Sequence, residues 1–293
     1  MSWRDTDFCG SKINLRLKVT SRREDGFHEL STLFLPLDFP GDVVEIKENR
    51  GGITLDVPGF PELAGENNLV AKAAKLYADK SGIAPQWDIV LHKNTPIAAG
   101  LGGGSADAAG VLRLLNRHYE AFDENTLADM ALTLGADCPF FLYRKPAWAE
   151  GVGEKLSRIE KKLLLPEILI VYPGFPTSAK WAYTHLSEKL ISPDDPGIKE
   201  RFERAFENID SANWENLCRN DLAPAVFNKF PLLELLKQKL LLSGAFAVQL
   251  SGSGSSLFAL FAHGKAAAAA AEALAEEYRD FYGMRIFTGG KEF

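Results

Sequence analysis

Cysteine is scarce, with three residues in a chain of 293, at Cys9, Cys138 and Cys218. An odd number so widely spaced makes no disulfide framework and suits a reducing cytoplasm, which is the expected location. The five histidines show no metal-ligand spacing. Long apolar runs are missing as well. The stretch from Leu163 to Tyr172 is broken by Pro166 and Glu167, well short of the roughly 20 residues of a membrane span. Met1-Ser2-Trp3-Arg4-Asp5 has no apolar core, which points away from a secretory signal. Positive charge is not in excess either: 33 Lys and Arg stand against 39 Asp and Glu, for a net charge of -6. Nothing electrostatic therefore draws the chain to nucleic acid or an anionic membrane, and any anion site must be local. No internal repeat is visible.

What is present is an ordinary globular composition, 46% hydrophobic and 25% charged, long enough to build two cores. Ile13, Leu15, Leu17 and Val19 alternate with Lys12, Asn14, Arg16 and Lys18, which predicts a strand with Lys12 and Asn14 on one side. Further strands are expected at Val43–Ile46, Ile53–Val57, around Trp87–Leu91 and in Ala147–Glu154, the last with a glycine-containing exit. In the second half they are expected at Ile168–Tyr172, Ala245–Leu250, Leu257–Phe261 and Arg285–Phe287. Asn67 and Asn68 open a helix to about Lys80, with Gly82 beyond its end, and helical periodicity covers Leu127 to Leu134, stopped by Gly135. It returns at Ala179–Leu190, Lys199–Asn208, Leu232–Leu242 and His263 to about Arg279. Strands and helices mix in both halves, which predicts a two-domain α+β or α/β architecture with a boundary in the Lys/Glu-rich stretch ending at Lys162.

The most informative stretch is Pro96-Ile97-Ala98-Ala99-Gly100-Leu101-Gly102-Gly103-Gly104-Ser105. It follows a strand and opens a helix whose apolar face is Ala108, Val111, Leu112, Leu115 and Tyr119. Backbone without side chains can fold tightly and aim its N–H groups at an anion, and a helix N-terminus adds partial positive charge. A flexible hinge would have the same composition. The nucleoside-triphosphatase P-loop is excluded because no lysine precedes Ser105. The dinucleotide fingerprint fails because Ser105 stands where a third small residue is needed and no acidic residue follows about twenty positions on.

Lys12 reads as an exposed strand charge. Other candidates carry two readings each. Phe27 and His28 leave an Asp25-Gly26 turn together; Phe27 is a core plug or an exposed ring that stacks on a flat base. Asp137, in Gly135-Ala136-Asp137-Cys138-Pro139-Phe140-Phe141, is a turn residue or a carboxylate tuned by partial burial. Cys138 beside it reads as a small buried hydrophobe. Ser251-Gly252-Ser253-Gly254-Ser255-Ser256 is a plain hairpin loop or a second phosphate-proximal or loop-supporting element. Asp107 reads by position as a helix cap.

Taken in order, Lys12-Ile13-Asn14-Leu15, Asp25-Gly26-Phe27-His28, Gly100-Leu101-Gly102-Gly103-Gly104-Ser105, Leu134 to Phe141, Ala149 to Glu154 and Ser251-Gly252-Ser253-Gly254 resemble the GHMP kinase superfamily. Within it they resemble the branch that acts on a cytidyl-diphospho-methylerythritol. The resemblance implies a two-domain α+β fold: an N-terminal ATP domain like one found in a small-subunit ribosomal protein, over residues 1–155, and a ferredoxin-like C-terminal domain, over residues 156–293. It implies ATP with Mg²⁺ and transfer of the γ-phosphate to the C2 hydroxyl of that small-molecule substrate. No nucleic-acid or membrane partner is implied, and the chain is expected as a monomer or weak homodimer.

By position, Asp137 matches the catalytic aspartate and Lys12 its lysine partner. Pro96, Ala98, Gly100, Leu101, Gly102, Gly103, Gly104 and Ser105 match the triphosphate loop, with Ser105 also placed for Mg²⁺. Only the resemblance offers Asp107 as a Mg²⁺ ligand. Asn68 and Lys93 match positions around the nucleotide. Asn14, Phe27, His28, Thr177 and Trp181 match substrate positions, with Phe27 where relatives also carry Tyr. Another small-alcohol kinase of the superfamily, or a non-catalytic nucleotide-binding module, is the competing reading.

Overall fold

The computed structural model describes residues 3–209 and 213–293. In chain order the elements are β1 (Arg4–Arg22), β2 (His28–Glu48), β3 (Gly52–Asp56), α1 (Leu69–Ser81), β4 (Gln86–His92), α2 (Gly103–Tyr119), α3 (Glu124–Leu134), α4 (Cys138–Tyr143), β5 (Ala147–Gly151), β6 (Lys155–Arg158) and β7 (Glu167–Pro173). They continue with α5 (Ala179–Thr184), α6 (Ile198–Glu207), α7 (Trp214–Leu217), α8 (Ala223–Lys229), α9 (Pro231–Leu242), β8 (Ala247–Leu250), β9 (Leu257–Phe261), α10 (Gly264–Glu277), β10 (Met284–Thr288) and β11 (Lys291–Glu292). None of the described helices is long and apolar enough to cross a membrane.

Two compact units divide the chain, and neither is a continuous stretch. One holds the chain up to Ser11, Pro36–Ile97 and Gly102–Lys145; the other holds Lys12–Leu35, Ala98–Leu101 and Pro146–Phe293. The strands β1 and β2 and the glycine loop each pass from one unit into the other.

In the first unit, Val43–Glu48 of β2 runs antiparallel to β4, and β3 lies parallel to β4. Two helices start and stop where local chemistry directs. Asn68 caps α1 by accepting from the Val70 amide, and Gly82 ends it in the left-handed conformation at φ 72°. Asp123 caps α3 by accepting from the Thr126 amide at 2.8 Å. The helix α2 packs against α1, α3 and α4. A short hydrogen-bonded aromatic cluster closes the unit, with Trp87 Nε1 donating to the Tyr119 hydroxyl at 3.1 Å and Tyr77 edge-on to Trp87.

The second unit contains an antiparallel sheet in the order β11-β10-β7-β9-β8. Against it pack α9, through Leu233, Leu236 and Leu240, and α10, through Ala267, Ala270, Ala271 and Leu274. Each fully buried leucine contributes about 1.5–3 kcal/mol. Leu17 and Val19 of β1 and Leu30 of β2 join that core. Both β5 and β6 are antiparallel neighbours in the same unit, β5 pairing with Leu30–Phe34 of β2. Thus the Lys/Glu-rich stretch expected to be a boundary contains a paired strand.

Other differences have tertiary causes. The helix expected over Ala179–Leu190 ends at Thr184, and the Leu190 carbonyl instead accepts from the buried Lys18 ammonium. The long β2 was not expected before Val43, because Ser31 to Leu37 shows no period-two pattern and is buried on both faces.

Close packing gives a first prediction. A Cβ on Gly110 of α2 would overlap the Cys9 sulfur. Gly110→Ala gains about 1 kcal/mol in helix propensity but meets an overpacking cost of about 1–3 kcal/mol. A net loss, read as a lower urea midpoint at unchanged slope, is expected; a more stable variant would contradict this packing.

Candidate active site

In the second unit β1 carries a buried polar row. Lys12 is only 4% exposed, which rules out the exposed-charge reading. Its ammonium donates to Asn14 Oδ1 at 2.6 Å and lies 4.8 Å from the Phe34 ring centre. Asn14 Nδ2 in turn donates to Thr32 Oγ1 at 2.9 Å, and Thr32 Oγ1 donates to the Arg16 carbonyl at 2.6 Å. The sequence placed Lys12 and Asn14 on one strand face, and the structure places them there in direct contact. Thr32 was not foreseen, since β2 itself was not foreseen at that point.

The same unit holds the first part of the glycine loop. Ala98 and Gly100 have positive φ, at 51° and 79°, and a Cβ on Gly100 would overlap the Ser251 carbonyl oxygen. Only glycine permits that approach. Ser251 Oγ donates to the Gly100 carbonyl at 2.9 Å, the Ser256 amide to Ala99 O at 3.0 Å and the Thr177 amide to Ala98 O at 3.1 Å. The Lys12 amide donates to Leu101 O at 2.9 Å. Ser251 to Ser256 is therefore both readings at once: it joins β8 to β9 as a hairpin loop and supports the first glycine loop. Asn220 Nδ2 anchors it by donating to Leu250 O and Gly252 O at 2.8 and 2.7 Å, a role with no local sequence signal. Thr177 is buried with its hydroxyl oxygen unpartnered.

In the first unit Gly102, at φ 73°, precedes α2 and supplies no side-chain cap. The leading amides of α2 have no intrahelical acceptor, which is the general condition for an anion site. Gly103 packs on Thr95, Gly104 is exposed, and Pro96 is buried. Asp107 does not cap the helix; its Oδ2 accepts from Lys93 at 2.8 Å. Lys93 also donates to Asp42 Oδ2 and its side chain is 6% exposed. Burial pulls that ammonium's pKa down, but the charges of Asp107 and Asp42 outweigh it and hold the pKa above the ordinary value. Burial pushes the Asp107 carboxyl well above the ordinary range, opposed by Lys93.

Asp137 stands immediately before α4 and is partly exposed. Its neighbour Cys138 is buried, as expected, and shares a hydrogen bond with Ser105, the third residue of α2. Burial first, and the charge of Asp137 second, push the Cys138 thiol up to about 11, so it stays protonated at neutral pH. Within this unit, Asp137 and the start of α2 are thus brought together. Among the described residues no group of three His, Cys, Asp or Glu side chains could hold a metal.

The expected base-recognition residues fall in the second unit. Phe27 is 62% exposed, so the core-plug reading fails; its amide donates to Asp25 Oδ1 at 3.0 Å. His28 stacks on Tyr183, with centroids 5.4 Å apart and planes at 22°. Burial, then Arg22, lowers the His28 pKa, which leaves its ring neutral at pH 7. Trp181 stacks instead on His185 at 4.2 Å, with the Lys229 ammonium 3.9 Å from its ring centre. Tyr183 is the ring the sequence reading passed over; its signal was an aromatic two residues past Trp181 on the same short helix.

Two family models match the chain, GHMP kinases N terminal domain over residues 68–145 and GHMP kinases C terminal over residues 196–280. The 4-diphosphocytidyl-2-C-methyl-D-erythritol kinase of Solidesulfovibrio magneticus is 41% identical over 259 residues, which covers 85% of this chain and 86% of that protein. Its counterpart in Syntrophotalea carbinolica is 40% identical over 268 residues, covering 90% and 92%. A crystal structure of 4-(cytidine 5'-diphospho)-2C-methyl-D-erythritol kinase matches with a TM-score of 0.81 at 35% identity, over 98% of this chain and 100% of that one. Homoserine kinase from Cytophaga hutchinsonii matches with a TM-score of 0.75 over 99% of this chain and 95% of that one, but at 18% identity, and that likeness speaks for the fold alone. The glycine run and Asp137 lie inside the matched N-terminal stretch, and the Ser251–Ser256 loop lies inside the C-terminal one. By that agreement the chain belongs to the GHMP kinases, in the family of the 4-diphosphocytidyl-2-C-methyl-D-erythritol kinases.

Proposed function

We propose that the chain transfers the γ-phosphoryl group of ATP to the C2 hydroxyl of 4-diphosphocytidyl-2-C-methyl-D-erythritol, in the non-mevalonate route to isoprenoid precursors. The observation that carries this reading is the 41% identity to an enzyme of that name over 85% of the chain. The side-chain chemistry supports it independently. An uncapped helix start preceded by glycines suits a triphosphate, and a carboxylate beside it suits proton removal.

Phosphoryl transfer needs alignment and charge stabilisation more than covalent catalysis. In our reading Asp137 accepts the proton of the C2 hydroxyl as its oxygen bonds to the γ-phosphorus; the bond from phosphorus to the β,γ-bridging oxygen breaks and ADP leaves. Lys12 supplies positive charge to the transferring group, and Asn14 binds substrate beside it on β1. Gly100 to Ser105 bind the phosphates through backbone N–H groups, with Pro96 and Ala98 shaping the turn and Asn68 and Lys93 framing the nucleotide. Phe27 and His28 receive the cytosine ring, with Trp181, Thr177 and Tyr183 on the substrate side. Residues 1–155 then carry the ATP role, and residues 156–293 contribute to the substrate side. Three free, buried cysteines fit a cytoplasmic enzyme, acting as a monomer or weak homodimer.

Mg²⁺ keeps several waters and binds mainly through substrate phosphates and one or two protein oxygens. The partly exposed Ser105 at the start of α2 fits that modest demand. When bound, the ion neutralises charge on the β- and γ-phosphate oxygens.

A coupled assay tests the function: ADP should form with the cytidyl substrate and not with homoserine or mevalonate. Turnover on homoserine alone would overturn it. Asp137→Asn should lower kcat by roughly 10²–10⁴ with ATP affinity kept; near-normal turnover would remove Asp137 from the role. Gly100→Ala forces a Cβ against Ser251 O at positive φ, so ATP KM should rise about tenfold, equivalent to ~1.4 kcal/mol, in steady-state kinetics. Tyr183→Ala should raise KM for the cytidyl substrate by roughly tenfold, the order of a lost ~1 kcal/mol ring contact, and leave ATP KM alone.

A further inference from the structure

Of the most heavily buried charge cluster described in the first unit, Asp42, Lys93 and Asp107, only Lys93 has a role in the proposed function. Asp42, on β2, is fully buried. Its Oδ1 accepts the amides of Asn94 at 2.6 Å and Thr95 at 2.7 Å, in the turn leading to Pro96. Its Oδ2 accepts from the Lys93 ammonium and lies 3.3 Å from where a Gly103 Cβ would stand. Lys93 reaches across to Asp107 Oδ2 at 2.8 Å, on the fifth residue of α2. One carboxylate thus ties a sheet strand to the turn before the glycine loop and, through Lys93, to Asp107 of α2, and with Thr95 it leaves little room for a side chain at Gly103. An ammonium has three N–H bonds; two of those of Lys93 are committed to buried carboxylates, and its side chain has almost no surface to offer a ligand.

We infer that Asp42 is a positioning residue for the phosphate-binding start of α2, and that Lys93 serves ATP through Asp42 and Asp107 rather than by touching the triphosphate. The inference rests on the ATP-site reading above and deepens it. An anion site made of backbone amides binds only as well as those amides are held in direction, and α2 has no side-chain cap to hold its first turn. Asp42 and Asp107 fix that turn from beneath, with Lys93 as the shared cation. The charge-assisted bonds are strong because they are desolvated.

The experiment is titration with a non-hydrolysable ATP analogue by calorimetry, together with amide hydrogen exchange, on wild type, Asp42→Asn, Asp107→Asn, Lys93→Met and the Asp42→Asn/Lys93→Met double variant. Asp42→Asn keeps an acceptor for the two amides but presents no charge to Lys93. Each single variant should weaken the analogue about tenfold, speed exchange of the Gly102–Ala106 amides and leave affinity for the cytidyl substrate unchanged. The double variant should resemble Lys93→Met alone, since the groups act as one unit. If Lys93→Met abolishes binding while Asp42→Asn and Asp107→Asn bind as wild type, Lys93 is a direct phosphate ligand and the inference is overturned. It is also overturned if the aspartate variants melt earlier but bind the analogue normally. Should Asp42→Asn fail to fold, Asp107→Asn reports on the same device from the helix side, with every Asp42 bond intact. A wild-type chain that binds the analogue yet ignores the cytidyl substrate would sink the proposed function, and this inference would still be decided by the variants.

Discussion

The constraint on which the rest of this molecule depends is the close approach of bare backbone to backbone at Gly100. There the loop lies so near the Ser251 carbonyl that no side chain fits, and it does so in a left-handed conformation that other residues adopt only at a cost. The loop's carbonyls at Ala98, Ala99, Gly100 and Leu101 accept from Thr177, Ser256, Ser251 and Lys12, which fixes its course. The second glycine-bearing loop is therefore a mould for the first, and Asn220 holds the mould by its two carbonyls.

Buried charge is the second organising feature, and in both units it is compensated. In the second unit Arg16 is held by Asp194 at 2.5 Å, and Lys18 by Asp221 at 2.9 Å. In the first, Asp7 gathers Arg113, Arg117 and Arg144. Breaking one member of such a pair costs about 3–5 kcal/mol because the other charge is left in a poor dielectric. These pairs contribute little net stability relative to an apolar core, yet they give β1 and β2 unique neighbours. The Asp42–Lys93–Asp107 cluster follows the same rule, and it is the one placed under the start of α2.

Sequence-level reasoning went furthest where a local rule sufficed. The alternation of Lys12 to Val19 put Lys12 and Asn14 on one face, and they meet. Asn68, Gly82 and Gly135 bracket helices as capping chemistry requires. The glycine run opens α2 because its residues permit a turn that the following apolar period then converts into a helix. It failed where burial on both faces erased the pattern, as in the first half of β2, and beyond Thr184, where the helix stops and the Leu190 carbonyl accepts from the distant Lys18. Phe27 and Trp181 show the same limit. A ring's identity is local, whereas its exposure and its partners are not, and His28 pairs with Tyr183 rather than with the more conspicuous tryptophan.

What the chain's order of residues determined by itself was the family and its chemistry: a glycine loop without a P-loop lysine, an Asp-Cys-Pro corner, and an acidic, cysteine-poor composition that rules out alternatives. Those features depend on residue type and short spacing, which survive in one dimension. Only the tertiary structure decided that Lys93 is consumed by two buried aspartates, that Asp107 faces Lys93 instead of capping α2, that Asn220 holds the loop after β8, and that Tyr183 stacks on His28. Each of these depends on which side chains meet across tens or hundreds of residues, and whether a buried charge finds its counter-charge is a question of three-dimensional distance alone.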